Sequence, residues 1–180
     1  MNPTDEQIID AILEREGGYS DRPDDAGGPT NHGITQQRLA DWRRRPVTAA
    51  EVEALSVEEA RDIYRHCYIQ APGLGKVLDD DLRGLLVDCS VLHGPRNAVR
   101  FLQRALGVAD DGILGDLTVA ALWRVDRRRL LWQVFAERVM FVGRIISENL
   151  MDADRDGIPD NTEFAKGWLA RIGAMMKAAA

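Results

Sequence analysis

Residues 13–34 read LEREGGYSDRPDDAGGPTNHGI, and the rest of the chain is arranged around them. Just upstream, Thr4 followed by Gln7 forms a capping-box pattern, which opens a helix by satisfying its first free N–H groups. Ile8, Ile9, Ile12 and Leu13 then recur at the spacing of one buried face. Glu16 continues that stripe, four residues after Ile12 and three after Leu13. Gly17 and Gly18 stop the helix, because glycine takes left-handed backbone cheaply. The result is a carboxyl group on the inward side of a last helical turn. Partial burial and the negative end of the helix dipole both disfavour its charged form there, which suits a general acid for glycosidic cleavage.

Downstream, Asp24 and Asp25 lie on a Gly/Pro-rich loop, and Thr30 stands at the start of an extended NHGIT segment. A helix-end acid, a loop carboxylate and a hydroxyl can converge on one cleft. Together they supply a proton donor, a group to stabilise positive charge or position water, and a polar partner for that water.

These residues resemble the N-acetylmuramidases of glycoside hydrolase family 108, lysozyme-like enzymes of bacteria and bacteriophages that include endolysins. The resemblance is carried by Glu16-Gly17-Gly18-Tyr19, Asp25, Gly27-Gly28-Pro29-Thr30-Asn31 and Gly33-Ile34-Thr35. It implies that Glu16 is the catalytic acid, with Asp25 and Thr30 at the matching Glu, Asp, Thr spacing. Asp24 is an alternative to Asp25. It further implies a sugar groove bordered by Tyr19, Asn31, His32 and Tyr64. His32 departs from the family's usual tyrosine, and Ile69, in the IYRHCYI segment, from its tryptophan. Residues 96–122 resemble the peptidoglycan-binding module that accompanies such catalytic parts, through Leu102-Gln103, Leu106-Gly107, Asp111-Gly112-Ile113, Gly115 and Thr118. The fold implied is mainly α: a lysozyme-like catalytic part over 1–93 with a minimal β/loop region, then a helical wall-binding part over 94–180.

Composition agrees with that class. The chain has 180 residues, 45% of them apolar and 29% charged, enough for one compact unit or two small ones. The net charge of −6 argues against nucleic acid, because phosphate recognition needs a positive surface. Two local basic runs, Arg43–Arg45 and Arg127–Arg129, read as solvated helix faces or loop ends, with contact to an anionic wall polymer or a membrane as the second reading. No apolar run is long enough to span a bilayer, so no stable membrane insertion is expected. MNPTDEQII lacks the basic and apolar regions of a signal peptide. Cys67 and Cys89 fall on apolar helical faces and read as buried thiols. The expectation is therefore a monomer made in the cytoplasm that reaches peptidoglycan through a separate pore-forming protein.

Helices are expected over Thr35–Arg44, stopped by Pro46; after capping pairs Thr48/Glu51 and Ser56/Glu59; after Asp79–Asp81; and from Pro95 to Gly107. Asp116 is expected to cap the next helix. A long helix from about Asp126 to Leu150 carries apolar residues broadly enough to suggest a buried rod. His93, beside the Gly94-Pro95 break, reads as structural.

Residues 152–163, DADRDGIPDNTE, match the EF-hand calcium loop. Asp152, Asp154 and Asp156 supply oxygens, Gly157 makes the turn, Ile158 offers its carbonyl, Asp160 acts next and Glu163 closes the shell. Without a cation these carboxylates repel one another, so loop order should depend on Ca2+. Pro159 cannot donate the backbone bond by which EF-hands pair, and a single unpaired loop is expected. The chemistry of glycan cleavage itself needs no cofactor.

The expected activity is hydrolysis of the β-1,4 bond between N-acetylmuramic acid and N-acetylglucosamine. A lytic transglycosylase would share the acid and release anhydro ends, a non-catalytic wall-binding protein would tolerate Glu16→Gln, and a calcium sensor would need a partner helix.

Overall fold

The computed structural model describes residues 4–21, 28–151 and 162–180. The chain forms two compact units, Met1–Gly73 and Leu74–Ala180. Both are mainly helical, as expected of a lysozyme-like part joined to a helical wall-binding module.

In the first unit, α1 (Asp5–Glu16) starts at Thr4 with the reciprocal capping box and buries Ile8, Ile9, Ile12 and Leu13. Thr30–Asn31 (β1) and Ile34–Thr35 (β2) pair antiparallel. The connecting His32 and Gly33 both have positive φ, 52° and 73°, which matches the twist required of a two-residue hairpin turn. Ser20 and Thr30 exchange both backbone hydrogen bonds at 2.8 Å, adding a third row. Helix α2 (Gln36–Arg43) is capped by Thr35. It ends before the proline does its work: Arg44 turns left-handed and returns its N–H to Ala40 and Asp41.

Helix α3 (Ala49–Glu53) has the full Thr48/Glu51 box. At α4 (Val57–Tyr64), Ser56 accepts from the Glu59 N–H, but the reciprocal half is missing. The Glu59 carboxylate is instead held by Arg43, at 2.7 and 3.0 Å, because two charge-assisted bonds outweigh one to a neutral N–H. Hydrogen bonds from Arg45, then from the Thr48 backbone, lower the Glu51 carboxyl to about 2. After Tyr64 the helix widens into a π-helix over Arg65–Gln70, a departure that residue spacing does not announce.

In the second unit, a short 3₁₀ turn (Leu74–Lys76) leads to α5 (Asp80–His93), capped by Asp79. Helix α5 packs chiefly on α6 (Pro95–Leu106) and also on α8 (Arg127–Met151). Pro95 opens α6, and Gly107 ends it left-handed. Helix α7 (Asp116–Leu122) is capped at Gly115 with no side-chain bond, so Asp116 lies inside the helix rather than at its cap.

Helix α8, expected as a largely buried rod, is buried along one face. Leu130, Leu131, Val134, Phe135 and Val142 are buried, while Val139 and Met140 face solvent. Among the buried side chains of its inner face is a cation, Arg138, at 0% exposed. Helix α9 (Thr162–Ala178) buries Ala165 and Ile172, whereas Leu169 is exposed. Both cysteines are free; Cys89 is buried, which pushes its thiol up to about 12, while Cys67 is only half-covered.

Candidate active site

Glu16 is the last residue of α1, half-covered, and its position follows from the four buried residues that fix the helix's rotation. Gly17 stops the helix at φ 76°, ψ −163°. That is the extended mirror region open to glycine alone, not the left-handed helical turn expected. The chain therefore leaves sharply, and Glu16 stays at the edge of the unit.

Across from it lies the hairpin turn. A Cβ built on Gly33 would stand 3.0 Å from both Cβ and Cγ of Glu16, and 2.5 Å from the hydroxyl of Tyr64. The backbone thus passes against the acid's stem at a distance only glycine allows. Tyr64 is 1% exposed, and its hydroxyl donates to the His32 carbonyl at 3.1 Å. Its ring packs on Tyr68 with centroids 5.2 Å apart, and the Arg38 guanidinium lies over the Tyr68 ring. Burial raises the Tyr68 phenol above its ordinary range, partly offset by Arg38.

The other residues implicated by resemblance take different places. Tyr19 is exposed beside this edge, its hydroxyl 3.4 Å from an Asp21 oxygen. Desolvation, then the Asp21 and Glu53 carboxylates, raise its phenol, so it remains a hydroxyl donor. Asn31 is buried and spends its amide on the Val52 and Glu53 carbonyls, at 3.0 and 2.9 Å, tying β1 to the end of α3. His32 is half-buried in the turn, and Thr30 pairs through its backbone with Ser20 and Thr35. Asp24 and Asp25 lie outside the described residues. The structure thus brings Glu16, the His32–Gly33 turn and Tyr64 together, with Thr30 on the adjoining strand. Sequence reading missed the contact of Gly33 with Glu16; its one signal was the His-Gly pair in a hairpin-like stretch.

Of the residues expected to hold calcium, Asp152, Asp154, Asp156, Ile158 and Asp160 lie outside the described residues, as does the Glu163 side chain. The flanking segments are helical as expected, α8 ending at Met151 and α9 starting at Thr162. Among the described residues there is no other cluster of metal-ligating side chains.

The second unit holds two polar centres. Asp88, 2% exposed, receives Arg138 at 2.7 Å and Arg171 at 2.9 Å, linking α5, α8 and α9. Arg138 Nε also donates to His93 Nε2 at 3.3 Å, and burial, then Arg138, push His93 down to about 4. Second, buried Gln103 accepts from the Gly112 N–H and donates to Asp111, Ile113 and Thr118, so the motif residues of the wall-binding module fix one another.

The family model of glycosyl hydrolase 108 matches residues 9–94, and that described as a predicted peptidoglycan domain matches residues 97–173. Among solved structures, that of Brucella abortus SagA is 32% identical, with a TM-score of 0.76, covering 97% of this chain and 92% of that one. No curated protein matches the chain.

Proposed function

We propose, from the premise that this chain belongs to glycosyl hydrolase family 108 and carries a peptidoglycan-binding part, that it is a muramidase cutting the β-1,4 bond between N-acetylmuramic acid and N-acetylglucosamine. It is a glycoside hydrolase of lysozyme-like fold, and peptidoglycan is its substrate. The observation that carries the finer reading is the seating of Glu16 at the end of α1 against the Gly33 backbone.

In this reading the Glu16 carboxyl gives its proton to the leaving glycosidic oxygen as the bond to the anomeric carbon breaks. Asp25, or its neighbour Asp24, stabilises the positive charge on the sugar or takes a proton from the attacking water, helped by the Thr30 hydroxyl. The water's oxygen ends on the anomeric carbon. Tyr19, on the exposed edge, contacts the glycan with its hydroxyl. His32 contributes from the turn; Asn31 and Tyr64, both buried, act on the groove through the backbone that they hold.

Two further features belong to the proposal. The chain is made in the cytoplasm and acts on the wall after release through a separate pore, as an endolysin would. The loop 152–163 takes Ca2+, which stabilises or regulates the protein, a reading supported by its ligand spacing and by the helices on either side. Mass analysis of fragments released from purified walls tests the bond assignment. Reducing N-acetylmuramic acid ends are expected; anhydro ends would mean a transglycosylase, and reducing N-acetylglucosamine ends a glucosaminidase.

A further inference from the structure

The second unit carries an exposed aromatic side chain that neither its core nor the catalytic reading uses. Trp123, which ends α7, is 63% exposed, and Leu78, ahead of α5, is 60% exposed. Both lie on one cleft, whose floor is the buried apolar trio Val77, Leu82 and Leu130. Such residues are costly to leave in water without a partner, and an apolar floor with a few polar groups at the rim is the usual build of a ligand site.

The rim is positive. Lys76 and Arg127 line it, both exposed, and Arg127 makes no ion pair among the described residues. Asp79, the rim's carboxylate, is committed to capping α5 through the Leu82 N–H at 2.9 Å. Arg124, Arg128 and Arg129 add to the same segment and outnumber its one carboxylate, Asp126, which accepts the Arg129 N–H at 2.7 Å; Arg128 donates to the Ala180 carbonyl. In a chain of net charge −6 this is a local inversion of sign next to an exposed indole.

We propose that this cleft is a peptidoglycan subsite of the second unit, in which a sugar ring of the glycan strand packs its C–H face on Trp123 while Arg127 and Lys76 hold a carboxylate of the attached peptide. The ligand class rests on the reading of the chain as a wall hydrolase, and on the match of residues 97–173, which include Trp123 and Arg127, to a peptidoglycan domain. An indole offers a large rigid face at little entropic cost, and an arginine beside it adds a directional charge, the pairing that dominates binding energy at many interfaces.

The test is co-sedimentation of the full chain with purified sacculi at 4 °C, in a Glu16→Gln background so that walls persist. Trp123→Ala is expected to weaken binding about tenfold, and Trp123→Tyr to retain most of it. Arg127→Glu is expected to weaken binding comparably at low salt and much less near 1 M salt, where charges are screened. On glycan strands stripped of peptide, the Arg127 effect should vanish and the Trp123 effect remain. Unchanged binding by both Trp123→Ala and Arg127→Glu overturns the proposal, as does tighter binding of the parent to anionic lipid vesicles than to walls. Trp123 is mostly exposed, so thermal melting of each variant should match its parent, and a collapse on melting would itself contradict the surface role. The catalytic reading fails separately: if the Glu16→Gln protein clears walls at 37 °C, that reading falls while the binding comparison stands.

Discussion

At Gly33 a single methyl group decides whether Glu16 keeps its place. Alanine there must adopt a positive φ and push into the Tyr64 hydroxyl and the Glu16 stem. Gly33→Ala is expected to cost about 1–3 kcal/mol of stability. Wall clearing should fall further than that loss explains, measured at a temperature where both proteins are fully folded. Tyr64→Phe, which removes the bond to the His32 carbonyl, should cost about 0.5–1.5 kcal/mol on thermal unfolding. Glu16 itself was legible in the sequence, because helical spacing and two glycines define where it stands. The approach of Gly33 was not, because a tertiary contact between a helix end and a hairpin leaves no periodic trace. Asn31 and Tyr64 illustrate the same limit: resemblance points to the region, while burial decides that both side chains face inward.

Helices and their caps were the most legible elements, since Thr4, Thr48, Asp79, Pro95 and Gly107 each act through their own backbone neighbours. Where a long-range partner competes, local reading fails: Arg43 takes Glu59 from its box, and Asp88 draws Arg138 to the inner face of α8. The junction of α5, α8 and α9 has a measurable pH signature. His93 is ordinarily half-protonated at 6.5 and is pushed down to about 4, so below 6.5 the unfolded chain binds a proton that the folded chain resists. Its contribution to stability is full above pH 6.5 and is lost as the pH falls toward 4. Melting temperature should therefore drop between pH 7.5 and 5, and His93→Gln should flatten that slope. At the same junction, Asp88→Ala strands the fully buried Arg138 and should cost about 3–5 kcal/mol, read by denaturant unfolding.

For the whole molecule, the first unit carries Glu16 and the second contains residues 97–173, which match the peptidoglycan domain. Residues 152–163, proposed to take Ca2+, fall in the second unit, where α8 ends at Met151 and α9 starts at Thr162. Raising free Ca2+ from chelated levels to about 1 mM should raise the melting temperature, since a ligand bound only by the folded chain stabilises it by mass action. Equal melting in chelator and in calcium would remove the metal from the account. The Trp123 cleft draws on residues from 76 to 130, whose approach leaves no pattern along the chain, and was not legible in the sequence. The central claim, that one carboxyl at the end of α1 drives cleavage, is tested most directly by following the turbidity of purified walls with the Glu16→Gln protein. The account predicts that the walls stay turbid while the protein melts like its parent; clearing at the parental rate would contradict it.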